Sequence, residues 1–445
     1  MQNKVEIARL ETIVANVLEE AKNQGASAAE VGLSIERGLS VTCRLGAVET
    51  IEHHRDQGLG ITVFFGQQKG SASLTDLTDD SIKDGVKAAC SIARFSGEDR
   101  FSGLPDSDRL ATQFPDLDVC HPWELSADQA ITLALDCETV ARELDPLITN
   151  SEGATVNSHQ GISVLGNSLG FLNGYESTRH SLSCSVIGQQ GDDMQRDYWY
   201  SVARNANDLE SSRRVGAMAA ERVVRRLGAQ SLSSRQCPVL YAPEVAASLL
   251  GHFIGAISGG SLYRKSSFLL DALETQVFPE FIRIHEQPFL PKALGSSAYD
   301  GEGVAASAHD IVTDGILASY VLGSYSARKL GMESTGNAGG VHNLTIEPGD
   351  QNQQGLLATM DTGLLVTELI GQGVNQVTGD YSRGAAGFWV EGGVIQYPVE
   401  EITIAGNLKD MYQNIVAVGN DVDLRRNTRT GSILVAQMTV AGSTD

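Results

Sequence analysis

The chain has 445 residues, 42% of them hydrophobic and 20% charged, with only 11 prolines. This composition is typical of globular proteins, and the length exceeds the roughly 250–300 residues at which a single core stops growing, so we expect two domains. A net charge of −22 disfavours contact with phosphate backbones or anionic lipid, which argues against nucleic-acid or membrane-surface binding.

The first predicted element is an amphipathic helix over residues 5–24, whose apolar residues recur every three or four positions before Gly25. Residues 30–73 have the pattern of short antiparallel strands separated by glycines. Helices are then predicted at 79–95 and at about 127–144, where Pro146 halts the second one.

Residues 147–204 again have strand character, and a helix is predicted over 208–227, ending at Gly228. The polar, turn-rich segment that follows suggests a domain boundary near residue 232. We therefore predict an N-terminal α/β domain, residues 1–231, in which helices cover an antiparallel sheet.

Beyond the boundary, a strand is predicted at 237–241 and a helix at 243–258, with Pro243 in the first turn and Gly259-Gly260 as the stop. The rest is strand-like and rich in glycine, and residues 387–397 form two alternating runs around a Gly-Gly turn. The predicted fold class is therefore α+β, with an antiparallel β-rich C-terminal domain, residues 232–445, that carries the helix at 243–258.

The cysteines are scattered without a Cys-x-x-Cys pair, so the sequence predicts reduced thiols in the cytoplasm rather than disulfides or a zinc knuckle. They are Cys43, Cys90, Cys120, Cys137, Cys184 and Cys237. No apolar leader and no run of about 18 apolar residues is present, so neither export nor a membrane span is expected.

A serine nucleophile is one candidate site, because Gly166-Asn-Ser168-Leu-Gly170 has the spacing of a nucleophile elbow. The residues after it have no helical period, so a hairpin turn is the better interpretation. A stand-alone hydrolase using Ser168 remains an alternative.

Histidine motifs give weak signals. His53 and His54 are neighbours in a predicted strand and point to opposite faces, so they cannot chelate one ion, and a loop or surface role is expected. His285-Glu286 begins like a zinc-protease motif, but Pro288 excludes the helix that the motif needs. Gly371-Gln-Gly373 lacks the third glycine of a dinucleotide site, so no nucleotide cofactor is predicted.

The helix at 243–258 is the most informative element. Gly251, Gly255 and Ala256 give it a small-residue surface, which is expected either from tight helix packing or from close approach of another molecule. His252 lies eight residues after Glu244, too far for a direct hydrogen bond. Taken alone, such a histidine is more often a core or interface residue than a ligand.

Several longer segments resemble the TldD/PmbA family, on its PmbA or TldE branch, over essentially the whole chain. They are Leu330–Gly336, Ser382–Trp389, Pro398–Leu408 and Ala417–Asp421. The resemblance implies a peptidase whose active branch binds zinc through a His-Glu-x-x-x-His helix and a later cysteine. Such a site leaves one coordination position for an activated water.

Laid on that helix, this chain has Gly251 and Ala256 where the resemblance implies the two histidines, and His252 where it implies the glutamate. No cysteine follows Cys237. We therefore expect a degenerate zinc site at Gly251, His252, Gly255 and Ala256, with no catalytic residue and no cofactor or metal bound by this chain. Zinc is expected on a TldD-like partner.

The resemblance thus implies a cytoplasmic subunit of a two-part metallopeptidase that acts on peptides, as in leader-peptide maturation or antitoxin degradation. This chain would bind or guide the peptide, for instance by strand addition at a sheet edge of the C-terminal domain. A non-proteolytic regulator of a gyrase-linked toxin–antitoxin system is the alternative. Pairing with a second copy of itself, in the absence of the partner, is the alternative oligomeric state.

Overall fold

The computed structural model describes residues 2–442, and the side chains from residue 5 onward. The N-terminal half has the predicted alternation of helices and long strands. Its elements are α1 (Gln2–Asn23), β1 (Ala28–Arg44), β2 (Ala47–Phe65), β3 (Gln68–Leu74), α2 (Asp79–Phe95), α3 (Ala127–Glu143), β4 (Ile148–Asn167), β5 (Leu172–Gln190), β6 (Asp193–Ala203) and α4 (Ser212–Arg226).

The strands of this half form one antiparallel sheet in the order β3-β2-β1-β4-β5-β6. Side chains alternate along β1: Val31, Leu33 and Ile35 are buried, whereas Ser34 and Glu36 on the opposite face are exposed. The sheet therefore has one apolar face covered by helices and one polar face.

Two hydrophobic clusters lie beneath the helices. One joins α1 and α2 to the first half of β1 and to β2. The other joins α3 and α4 to the second half of β1 and to β4 and β5, and it includes the buried Cys137 and Cys184. The predicted helix at 208–227 begins later, at Ser212, because the Ser211 side chain caps it by accepting the N–H of Arg214.

The C-terminal half consists of shorter elements. They are β7 (Arg235–Tyr241), α5 (Pro243–Ile257), α6 (Gly259–Tyr263), β8 (Ile284–Glu286), β9 (His309–Thr313), β10 (Ile316–Leu317), α7 (Ser324–Leu330), β11 (Leu344–Ile346), α8 (Gln353–Met360), β12 (Gly363–Ile370), β13 (Asp380–Glu391), β14 (Val394–Asn407), α9 (Leu408–Gln413), β15 (Ile415–Val418), β16 (Thr428–Arg429) and β17 (Ile433–Ala441).

The larger sheet here has the order β14-β13-β12-β7-β17-β15, and β14 also pairs with β17 over Thr403–Ala405, so the sheet curves back on itself. The Gly392-Gly393 hairpin turn between β13 and β14 is confirmed. The α+β class is confirmed, with one correction: β7–β12 and β11–β16 pair in parallel, so the domain is not purely antiparallel.

The two halves are joined by polar contacts around α7. Arg328 donates hydrogen bonds to the carbonyl of Leu104 and to the carboxylate of Asp106, and the Tyr325 hydroxyl donates to Asp99 at 2.6 Å. The domain boundary near residue 232 stays a prediction. None of the helices between residues 2 and 442 combines the length and apolar character that a membrane crossing requires.

Candidate functional site

Helix α5 follows β7 directly and lies against the main C-terminal core. Pro243 occupies its first turn, where the missing N–H costs nothing. Its inner side chains are fully or almost fully buried, and the Tyr412 hydroxyl donates a 2.8 Å hydrogen bond to the carbonyl of Leu249. The inner residues are Ala246, Leu249, Leu250, Phe253, Ala256 and Ile257. The core thus fixes the rotation of α5.

The four positions of the expected degenerate site do not share one face of α5. Gly251 is exposed, and a Cβ built there would have no neighbour within 4 Å. A Cβ at Gly255 would lie 3.2 Å from the side-chain amide of Gln376, which also donates to the carbonyl of His252 at 3.1 Å. Ala256 is fully buried in the core.

Neither Gly251 nor Ala256 has a side-chain donor atom, and Ala256 points away from solvent. The residues at these positions therefore do not fit the zinc ligand set that the resemblance implies. No step of catalysis through a metal can be assigned to α5 of this chain.

His252 is half-buried and packs edge-on to Tyr381, with 6.1 Å between ring centroids. Its Nε2 is buried without a hydrogen-bond partner. Burial, followed by the Arg383 guanidinium, lowers the pKa of His252. The imidazole is therefore held neutral, as a packed polar residue. Tyr381 was missed at the sequence level, although Arg383 lies in one of the segments that carry the resemblance.

Metal-ligating side chains do converge elsewhere. Within residues 2–442, one group of three such residues has its ligand atoms within 4.8 Å of one another, and it consists of Glu36, His54 and His159. It lies on the polar face of the N-terminal sheet, which contains no residue of α5. The prediction that His53 and His54 face opposite ways agrees with the strand register. His54 is half-buried and belongs to this group of three.

A cleft separates this polar face from the loops of the C-terminal half. One cavity of about 450 Å³ has Ser34, Ser163 and Tyr175 on the sheet side and Asp300 and His342 on the loop side, among others. A neighbouring cavity of about 370 Å³ is lined in part by Glu30, Glu302 and Tyr325.

The cleft is acidic and partly desolvated. Burial, with the carboxylate of Glu302 nearby, raises the pKa of Glu30 to about 7. Burial also raises the pKa of Asp300 to about 6, although this carboxylate accepts backbone N–H groups that oppose the shift. Near neutral pH the cleft thus holds carboxyl groups close to their titration point.

The remaining candidate motifs have structural roles. Ser168 lies in the turn between β4 and β5, and its hydroxyl accepts the N–H of Ala29 at 3.0 Å, so the hairpin interpretation is confirmed. His285 and Glu286 lie on a strand rather than a helix. Glu286 is buried and accepts the Nδ1–H of His342 at 2.6 Å.

Family models match the chain in three consecutive segments. They are the PmbA/TldA metallopeptidase domain 1 over residues 29–93, the central domain over 120–227 and the C-terminal domain over 234–442. The chain is 52% identical to Metalloprotease PmbA of Escherichia coli O157:H7, over 97% of this chain and 96% of that protein. It is 49% identical to a Metalloprotease PmbA homolog of Haemophilus influenzae, over 99% and 98%.

Solved structures share the fold. A protein from Bacteroides thetaiotaomicron, provisionally assigned as a modulator of DNA gyrase, superposes with a TM-score of 0.92 and 29% identity, over 97% of this chain and 98% of that one. TldE from Thermococcus kodakarensis has a TM-score of 0.85 over 97% and 100%, at 20% identity, which shows a shared fold.

Proposed function

The chain belongs to the PmbA/TldD metallopeptidase family, and from this premise we propose that it is the non-catalytic, peptide-guiding subunit of a two-part cytoplasmic peptidase. The observation that carries the proposal is α5, where the exposed position 251 is glycine and position 256 is an alanine buried in the core. A catalytic zinc needs three protein ligands that converge, and a single imidazole at His252 supplies one at most.

The partner in this proposal is a TldD-like subunit that binds the zinc. The name TldE, borne by a protein of the same fold, supports a division between D-type and E-type chains. The chain described here would shape access to the zinc of that partner and hold the unfolded peptide, in leader-peptide maturation or antitoxin degradation.

The cleft is the best place in this chain for such a peptide. Strand addition at the C-terminal sheet has less room than the sequence suggests, because β14 pairs with β17 at its end. The cleft, in contrast, has polar walls from both halves, such as Ser34 and Asp300. Its acidic groups favour peptides with an amino group or a basic side chain near the bound segment.

The test compares cleavage of an unfolded reporter peptide by this chain, by the TldD-like subunit from the same source, and by their mixture. We expect cleavage to be substantial only in the mixture. If the mixture cleaves no differently from the zinc subunit by itself, or if this chain cleaves the peptide unaided, the proposal is wrong.

A pair of variants locates the peptide. Ser34→Trp places a large side chain in the cleft, whereas Thr50→Trp places one at an exposed position of β2 outside the cavity walls described above. We expect only Ser34→Trp to raise the KM of the mixture for peptide, with pairing of the subunits unchanged in gel filtration. Equal effects of the two variants would move the peptide elsewhere.

A second candidate is a regulator that binds a gyrase-linked toxin or antitoxin without proteolysis. The observation that favours it is the solved relative assigned as a gyrase modulator. If the bound protein stays intact in cells whether or not this chain and its partner are present, the regulator becomes the better description.

A further inference from the structure

The polar face of the N-terminal sheet carries a convergence of side chains that the peptidase role does not use. β1 lies between β2 and β4, and Gly38 of β1 is paired with His54 on one side and with His159 on the other. Residues paired across antiparallel strands project from the same face. Glu36, two residues before Gly38, lies on that face as well.

Gly38 makes the convergence possible. A Cβ at this position would lie 2.2 Å from two ring atoms of His54 and 3.0 Å from Nδ1 of His159. Because glycine has no side chain, the His54 ring can extend across β1 and meet His159, with 4.8 Å between the ring centroids.

The distances suit a metal ion. Nδ1 of His159 lies 2.8 Å from Oε1 of Glu36 and 3.1 Å from Nε2 of His54. Oε1 of Glu36 and Nε2 of His54 are 3.9 Å apart. A tetrahedral ion with bonds of about 2.1 Å to nitrogen and oxygen ligands separates neighbouring ligand atoms by about 3.4 Å. Shifts of a few tenths of an ångström in the side chains would convert this triangle into one face of the tetrahedron.

Hydrogen bonds satisfy the triangle only in part. A neutral imidazole nitrogen either donates one hydrogen or accepts one. Nδ1 of His159 faces both a carboxylate oxygen and a second imidazole nitrogen, so it cannot donate to the first and accept from the second. A cation at the centre would interact with the lone pairs of all three atoms at once.

We propose that Glu36 Oε1, His54 Nε2 and His159 Nδ1 form a binding site for a divalent transition metal such as Zn²⁺. Two imidazoles and one carboxylate favour Zn²⁺ over Mg²⁺ or Ca²⁺, which prefer all-oxygen sites. The side chains of His54 and His159 are 28% and 31% exposed, so the fourth position is open to water. This site is separate from α5 and does not depend on the proposed peptidase role.

Charged neighbours act in both directions. Asp56, paired with Glu36, adds negative charge to the same groove, whereas Arg179, paired with His159 on β5, adds positive charge. The ligand set carries one negative charge from Glu36, so we expect moderate affinity rather than that of a structural zinc site.

The test is calorimetric titration of the chelator-treated full chain with Zn²⁺, and Co²⁺ absorption as a report on tetrahedral geometry. We expect one ion per chain at this site, and at least a tenfold loss of affinity in His54→Ala and in His159→Ala. His53→Ala is the matched control, because its side chain lies on the opposite face. Thermal unfolding checks that each variant is folded.

Gly38→Ala supplies an independent variant, since it keeps all three ligands but pushes the His54 ring away from His159. We expect it to weaken Zn²⁺ binding as the ligand variants do. Absence of Zn²⁺ binding by the wild-type chain, or undiminished binding by His54→Ala, would overturn the proposal. So would an equal loss in His53→Ala. Peptidase activity is not a readout, so this result and that of the mixing experiment are independent.

Discussion

At the scale of single residues, the imidazole of His252 is a packed polar group. Its Nε2 is buried without a hydrogen-bond partner, and burial lowers the pKa of the imidazole. A buried polar atom without a hydrogen bond costs about 1–3 kcal/mol. We therefore expect His252→Phe, which keeps the ring shape, to raise the free energy of unfolding by about 1 kcal/mol in urea titrations at pH 7.5.

The stability gained by His252→Phe should depend on pH. Because the folded pKa of His252 is depressed, the unfolded chain binds the proton more readily, and stability falls as the pH drops below about 6.5. The advantage of His252→Phe should therefore grow between pH 7.5 and pH 5.5. His53→Phe on the exposed strand is the control. A loss of stability in His252→Phe at pH 7.5 would indicate a partner for the imidazole.

The contribution of Glu30 to stability should have the opposite pH dependence. Its pKa is raised to about 7, so the folded chain keeps the proton after the unfolded chain has released it. Stability is therefore lost as the pH rises from about 4.5 to about 7, and the loss persists above that. Glu30→Gln, which resembles the protonated form, should gain about 2 kcal/mol at pH 8 and little at pH 4.5.

The control for Glu30 is Glu19→Gln, since the Glu19 side chain is 63% exposed. It should leave the free energy of unfolding nearly unchanged at both pH values. A flat pH response of the difference between Glu30→Gln and wild type would show that the Glu30 carboxylate is well solvated.

At the scale of elements, two glycines in helices should respond oppositely to the same substitution. A Cβ at Gly216 of α4 would lie 2.2 Å from the carbonyl oxygen of Cys137 in α3, whereas one at Gly251 of α5 meets nothing within 4 Å. Alanine is favoured over glycine in helices by about 1 kcal/mol. Gly251→Ala should therefore stabilise by up to about 1 kcal/mol, and Gly216→Ala should destabilise by about 1–3 kcal/mol.

Chemical unfolding of both variants, under one set of conditions, measures the contrast. Because each variant is the control for the other, a general effect of alanine cannot mimic the result. Destabilisation by Gly251→Ala would mean that another group approaches α5 closely, contrary to its open surroundings in this structure.

Elements with strong local signals could be predicted from sequence. Helix α2 was predicted with its observed bounds, because its apolar positions repeat with the helical period between polar ends. The Gly392-Gly393 turn followed from local turn chemistry. Helix α4 begins four residues later than predicted, at Ser212, because its N-terminal cap is Ser211.

What depends on pairing between distant segments could not be predicted. His54 and His159 are 105 residues apart in sequence, and only the registers of β1 with β2 and β4 bring them to Gly38. The exposure of the residues at the site expected on α5 could not be predicted from sequence either. The sequence identified its small residues, but the surrounding core decides that Gly251 is open and Ala256 is buried.

At the scale of the whole molecule, an ion-pair network joins the N-terminal half to helix α5. Arg222 of α4 contacts Asp197 of β6 at 3.2 Å and Glu244, in the first turn of α5, at 2.6 Å. Arg226 contacts the same Asp197 at 3.4 Å and Glu368 of β12 at 2.6 Å. Asp197 is thus the carboxylate shared by both arginines, and the network fixes α5 relative to the N-terminal sheet.

Removal of Asp197 should therefore loosen the two halves. Its side chain is 6% exposed, and those of Arg222 and Arg226 are 17% and 14% exposed, so Asp197→Ala leaves two arginines close together in a poorly solvated place. Breaking a buried pair from one side typically costs about 3–5 kcal/mol. We expect a loss of about 3 kcal/mol, measured by urea unfolding, with separate transitions for the two halves.

Asp314→Ala, which breaks an ion pair with Arg283 that is about half exposed, should cost less than about 1 kcal/mol. If Asp197→Ala costs no more than Asp314→Ala, the network does not hold α5 in place, and the orientation of the helix must come from its apolar core.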